Sequence, residues 1–274
     1  MSGNVPEAGD VSPAEAEANV PPKDEKMSFS GAEPAAPRGA EKPCLPETEP
    51  TAPREVAEGL FLCENDGKLT LTDGKLQIFA DLSADARRLR PNNLGGELLV
   101  RAARFKNRPG PFTAVDATAG FGEDSLLLAA AGFDVTMFEY NPVIAALLRD
   151  GLRRAAEDPA LAEIVARMHL ICGDSTKGMR ELGFSPDAVL LDPMFPERRK
   201  SGSIKKKFQL LQRLEAPCSA EEDLMAAALA ARPRKIVVKR PAKGPVLAGV
   251  KPSYSISGPT VRFDCIVPAD GAAD

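Results

Sequence analysis

From residue 112 onward, apolar positions in this chain follow two alternating rhythms. Short β-branched runs at 112–116, 134–139, 168–172, 187–191 and 235–239 have the length and composition of buried strands. Between them, residues 124–131, 142–156, 175–182, 204–214 and 220–231 repeat apolar positions at helical spacing. This alternation predicts a mostly parallel sheet with helices on both faces. The rhythm breaks at the end. Strands at 254–257 and 261–267 are separated only by Gly258-Pro259-Thr260, which is too short for a parallel crossover and predicts an antiparallel hairpin. Ahead of the main alternation, Leu60-Phe61-Leu62, 68–71 and 75–79 alternate at strand period, with Asp73-Gly74 as a turn between the last two. Residues 83–93 are polar and basic, and Gly95-Gly96 then lead into a helix over 97–105 with Leu98, Leu99, Ala102 and Phe105 on one face.

Composition changes the picture mainly at the N-terminus. Residues 1–58 are rich in Pro, Ala and Glu and cannot bury enough apolar surface to offset their ordering entropy, so they read as a disordered tail. The organisation expected is therefore a tail over 1–58, a small β/α element over 59–110 and a main domain over 111–268. Residues 1–59 hold 12 acids against 5 bases, which leaves 30 bases and 27 acids in the rest. The net charge of −4 thus hides a mildly basic folded part, compatible with a polyanionic partner. The five cysteines are widely spaced with no C-x-x-C pair, which argues against a disulfide framework or a zinc knuckle. No membrane span, secretory signal, transit peptide or metal-ligand constellation is apparent, and the expectation is a cytoplasmic protein with no metal and no membrane partner. The single histidine, His169, begins a strand and reads as structural.

Ligands of such sheets bind beyond the C-terminal strand ends, so the residues after each strand are the candidates. The first strand carries Asp116 into a turn with Gly120 and Gly122, followed by Glu123 and Asp124. A dinucleotide fingerprint requires a third glycine three residues after Gly122, and Ser125 stands there. Acids around the turn repel a pyrophosphate and favour a cationic ligand. S-adenosylmethionine, with a sulfonium and an α-ammonium, is such a ligand. Glu139, about 20 residues on, is placed to accept hydrogen bonds from ribose hydroxyls; it could also be a surface acid capping the helix at Pro142. Its neighbour Tyr140 could lie against an adenine or simply be exposed at a turn. Asp174, followed by Ser175, could cap a helix or reach an adenine amino group.

After the fourth strand comes Asp192-Pro193-Met194-Phe195. This run resembles the [Asn/Asp/Ser]-Pro-Pro-[Tyr/Phe] loop of methyltransferases that modify exocyclic amines. A planar amine conjugated to a base is a poor nucleophile. Asp192 and the Pro193 carbonyl can accept its two N–H bonds and expose its lone pair, while Phe195 stacks on an extruded base. The bland reading is an ordinary Asp-Pro loop with a buried Phe. Downstream, Arg198, Arg199, Lys200, Lys205, Lys206 and Lys207 adjoin this loop as candidate phosphate contacts, joined by Lys239 and Arg240 at the end of the fifth strand.

Taken together, Val115-Asp116-Ala117-Thr118-Ala119-Gly120, Glu139-x-Asn141-Pro142-Val143, Leu191-Asp192-Pro193-Met194-Phe195-Pro196, Val237-Val238-Lys239-Arg240-Pro241 and Arg262-Phe263-Asp264 resemble the RsmJ family. These are bacterial 16S ribosomal RNA guanine-N2 methyltransferases. The resemblance covers roughly residues 90–267 and implies an α/β fold of the class I S-adenosylmethionine-dependent (Rossmann-like) type, its sheet ending in an antiparallel hairpin beside the small N-terminal β element. It implies transfer of a methyl group from S-adenosyl-L-methionine to a guanine N2 in 16S ribosomal RNA or the small ribosomal subunit. It carries over Glu123, Asp124, Glu139, Tyr140, Asp174, Ser175 and Asp192 as cofactor positions, although Glu123, Tyr140 and Asp174 depart from the Arg, Arg and Ser expected of the family. Two alternatives stand beside it. One is the same chemistry on another amine, adenine N6 in nucleic acid or a protein amide. The other is a non-catalytic or nicotinamide-binding Rossmann-like domain, against which the missing third glycine and the terminal hairpin count.

Overall fold

The computed structural model describes residues 53–106, 108, 110–193, 210–211, 213–214 and 220–269. Strands β1 (Arg54–Ala57), β2 (Leu60–Asn65), β3 (Lys68–Thr72) and β4 (Gln77–Ile78) form a small antiparallel sheet in that order. Strands β5 (Phe112–Asp116), β6 (Phe133–Glu139), β7 (Met168–Cys172), β8 (Ala188–Leu191), β9 (Lys235–Pro241), β10 (Tyr254–Ser257) and β11 (Val261–Ile266) form the main sheet, ordered β10-β11-β9-β8-β5-β6-β7. β5 to β9 are parallel; β11 runs antiparallel to both β9 and β10, as the short Gly258-Pro259-Thr260 link requires. The chain leaves β5 toward β6 and β7, then returns to the other side of β5 as β8. The strand order therefore reverses at β5, where such sheets bind ligands.

The helices are α1 (Pro91–Leu94), α2 (Leu98–Ala103), α3 (Glu123–Ala130), α4 (Pro142–Ala156), α5 (Ala162–Val165), α6 (Ser175–Arg180) and α7 (Glu221–Ala230). α4 connects the two sheets and its sequence explains why it forms. The Asn141 side chain caps it by accepting the N–H groups of Val143 and Ile144, Pro142 occupies the first turn, and Arg153 and Arg154 sit at its negative end. Val143, Ile144 and Leu147 pack into the core of the small sheet with Leu60, Leu62 and Leu71, whereas Leu148 and Ala155 face the core of the main sheet. Each of these Val, Ile and Leu side chains contributes about 1.5–3 kcal/mol by burial. Asp150 adds a polar tie, accepting the Leu69 N–H at 3.1 Å and Arg154 Nε at 2.8 Å.

α6 lies so close to β6 that only glycine fits at position 178. A Cβ there would stand 2.2 Å from Cε1 of Phe138, which is fully buried. Gly178→Ala is expected to destabilise the protein by about 1–3 kcal/mol, because overpacking outweighs the gain in helix propensity. The check is a lower urea midpoint at unchanged slope.

The strands of the main sheet lie where the pattern of apolar runs puts them. Three local expectations differ. Residues 1–52 of the tail expected over 1–58 lie outside the described residues, and near its end Arg54–Ala57 is a strand that pairs with β2, Arg54 opposite Leu62. Its partner strand supplies the pairing, and Val56 and Ala57 pack on the small core. The strand expected over 75–79 shrinks to Gln77–Ile78, because the Asp73 carboxylate accepts the N–H groups of Lys75 and Leu76 and holds 73–76 as a turn. The polar stretch 83–93 contains a 3-10 turn, Leu82–Asp85, and the start of α1. Of the helix expected over 204–214, Leu210 and Leu211 are helical and the rest falls largely outside the described residues.

Candidate active site

The strand ends around the switch point enclose a cavity of about 680 Å³. Asp116, at the end of β5, is buried and staples the turn that follows. It accepts the Thr118 N–H at 3.0 Å on one oxygen and the Ser125 hydroxyl at 2.6 Å on the other. Burial, together with the charges of Asp124 and Asp192, pushes its carboxyl up to about 7. Glu139, at the end of β6, grips the same turn from the opposite side. Its two carboxylate oxygens accept the N–H groups of Gly120 at 2.9 Å and Asn141 at 2.8 Å. Asp174 accepts the N–H and the hydroxyl of Thr176, at 2.9 and 2.7 Å, so it does cap α6, and it lines the cavity as well. Ser175 and the exposed Tyr140 also line it.

Asp192 enters from β8. Its backbone N–H donates to Thr118 Oγ1 at 2.8 Å, which binds the start of the Asp-Pro loop to the β5 turn. Its carboxylate lies 3.0 Å from the Lys239 ammonium, which also pairs with Asp124 in the first turn of α3. Burial raises the Asp192 carboxyl above the ordinary range and the nearby Lys239 charge opposes that rise. The two carboxylates raise the Lys239 ammonium despite its own desolvation. Pro193 also lines the cavity, and Leu211, Leu214, Ala220 and Leu224 add apolar lining.

The structure thus brings Asp116, Gly120, Glu123, Asp124, Glu139, Tyr140, Asp174, Ser175, Asp192 and Pro193 to one cavity. Three expectations change. Gly122 does not line it. This residue sits in the left-handed region at φ 76°, and a Cβ would stand 2.8 Å from Leu148 Cδ1, so the glycine serves the packing of the turn on α4. Lys239 faces the cavity with its charge matched by two carboxylates and is not placed as a surface phosphate contact. Arg240 is buried, with Nε donating to the Pro245 carbonyl at 2.8 Å and Nη1 3.6 Å from Glu221, so it cannot reach a polyanion. Phe195, Arg198, Arg199, Lys200, Lys205, Lys206 and Lys207 lie outside the described residues. Thr118 was not foreseen as a site residue; its signal was its place two residues beyond the strand-ending acid. His169 stands on β7, 3.0 Å from Asp134, and does not line the cavity. Among the described residues no cluster suits a metal ion and no helix is long and apolar enough to cross a membrane.

Asp116, Glu123, Asp124, Glu139, Asp174 and Asp192 face this space with Lys239 as the cation among the described lining residues. That donor set suits a ligand bearing a sulfonium and an ammonium and is unsuited to a pyrophosphate. The comparison with known proteins agrees. Residues 53–268 match the model of a family described as putative SAM-dependent methyltransferases. A protein of Thioalkalivibrio sulfidiphilus called ribosomal RNA small subunit methyltransferase J is 45% identical over 177 residues, 64% of this chain and 69% of that one. Its namesake in Neisseria gonorrhoeae is 39% identical over 211 residues, 76% of this chain and 83% of the relative.

The chain belongs to the ribosomal RNA small subunit methyltransferase J family.

As a member of that family it is an enzyme that uses S-adenosylmethionine. The crystal structure of a SAM-dependent methyltransferase from Neisseria gonorrhoeae superimposes with a TM-score of 0.63 at 34% identity, covering 79% of this chain and 85% of that one. This chain and that structure therefore share their overall fold as well as part of their sequence.

Proposed function

We propose that this methyltransferase modifies the exocyclic N2 amine of a guanine in 16S ribosomal RNA, in the cytoplasm where small ribosomal subunits are made. The observation that carries the reading is Asp192-Pro193 at the wall of an acidic cavity, with the Asp192 carboxylate held by Lys239 and its backbone by Thr118. The names of the relatives supply the RNA.

In this reading Glu139 receives the ribose hydroxyls of the cofactor, and Tyr140, Asp174 and Ser175 surround its adenine. Asp116, Glu123 and Asp124, on the turn and the first turn of α3, bias the neighbouring space toward positive charge. When bound, S-adenosylmethionine supplies an electrophilic methyl group on a sulfonium. The chain's own task is to make the amine a nucleophile. Asp192 and the Pro193 carbonyl accept the two amine N–H bonds, which draws the nitrogen lone pair out of conjugation, and Phe195 stacks on the base. Positioning of two reactants, with no covalent enzyme intermediate, is the main contribution.

The test is incubation with labelled S-adenosylmethionine and small subunits from cells lacking the enzyme. Label in 16S RNA is expected; label confined to ribosomal proteins would contradict the reading and favour a protein amide.

A further inference from the structure

We propose that Lys239 is a positioning residue for methyl transfer, tying the acceptor carboxylate of Asp192 to Asp124 at the head of α3 so that the substrate wall and the cofactor turn are set by one side chain. The inference rests on the acceptor role proposed for Asp192.

The geometry begins in the sheet. β8 and β9 are parallel with Leu191 opposite Val238, so Asp192, the first residue beyond β8, comes beside Lys239, which stays within β9 opposite Phe263 of β11. Lys239 Nζ lies 3.0 Å from Asp192 Oδ2 and contacts Asp124 Oδ2 more closely still. The ammonium has three donors, and two are spent on these carboxylates. Thr118 holds the Asp192 backbone from the turn at 2.8 Å, so residue 192 is anchored at both its main chain and its side chain.

Such an anchor has a chemical reason. Several charges face this spot: Asp116 from β5, Asp124 from α3, Lys239 and Arg240 from β9, with Glu221 of α7 paired to Arg240. Burial and the neighbouring Asp124 push the Asp192 carboxyl upward, and Lys239 opposes them most strongly. A protonated Asp192 would turn one oxygen into a hydroxyl donor and accept an amine N–H less well. Removing Lys239 leaves two acids to share a site, which raises the carboxyl further. The acid limb of the rate profile then moves to higher pH.

The experiment is the pH profile of single-turnover transfer to small subunits at saturating S-adenosylmethionine. Lys239→Met is expected to lower the rate at neutral pH on the order of tenfold or more, the weight of a charged hydrogen bond, and to move the acid limb upward. Adding Asp124→Asn removes the like charge and should bring the limb back down, which a merely structural role would not do. Lys239→Arg should retain most of the rate. A wild-type limb in Lys239→Met, or no return in the double variant, overturns the inference. Should Lys239→Met not fold, Asp124→Asn alone decides: the acid limb is expected at lower pH than wild type, and an unmoved limb overturns the proposal. Asp192→Ala separates the two levels. Undiminished transfer there overturns the acceptor role itself, whereas an inactive Asp192→Ala beside an unaltered Lys239→Met overturns only the part given to Lys239.

Discussion

Asp192→Ala lowers methyl transfer by about a hundred- to a thousandfold, the usual result of deleting one group aimed at the charge that develops in a transition state, while the protein stays folded and binds its cofactor. The geometry makes this separation clean. The anchor of the loop to the turn is the Asp192 backbone N–H on Thr118, which an alanine keeps. Lys239 retains Asp124 as its partner. Asp192 is also a half-buried carboxylate whose charged form burial disfavours, so its removal relieves part of a desolvation cost as well as breaking an ion pair. Single-turnover transfer and calorimetric titration with S-adenosylmethionine check the two halves. Near-normal transfer would count against the acceptor role, and lost cofactor binding would move Asp192 from the substrate wall to the cofactor.

Glu139→Ala is expected to weaken S-adenosylmethionine binding by about a hundredfold or more and to lower thermal stability at the same time. The cofactor loses the two charged hydrogen bonds proposed for its ribose, each worth about 1.5–3 kcal/mol. The fold loses the acceptor for two backbone N–H groups, those of Gly120 and Asn141, at a side chain only 5% exposed. Leaving such a donor unsatisfied costs about 1–3 kcal/mol. Glu139→Gln separates the effects in part, since its single carbonyl can satisfy one of the two N–H groups while its amide opposes the other. The readouts are a calorimetric Kd and a melting temperature. An unchanged Kd with a lowered melting temperature would reduce Glu139 to a staple of the turn.

The central parallel strands β8 and β9 were legible because they are buried on both faces and therefore read as continuous apolar runs: Ala188–Leu191 is wholly buried, and so are Ile236, Val237 and Val238. The acids at their ends were legible for a related reason, since position after a strand already assigns a residue to the ligand side of the sheet. What escaped depends on contacts between distant segments. Lys239 and Arg240 read alike as strand-end cations. Only the register of β8 on β9 and the loop at Pro245 turn one into a partner of Asp192 and bury the other. Gly122 read as part of a ligand-side turn, yet the space beside it is taken by Leu148 of α4. Arg54–Ala57 was hidden by composition, because its pairing comes from β2 and its own four residues have little strand character.

The central claim concerns an amine on a guanine, and nucleoside analysis addresses it most directly. Small-subunit RNA labelled by this enzyme and digested to nucleosides should carry its label in N2-methylguanosine. Label eluting with N6-methyladenosine, or with any nucleoside methylated on a ring nitrogen or a ribose, would contradict it.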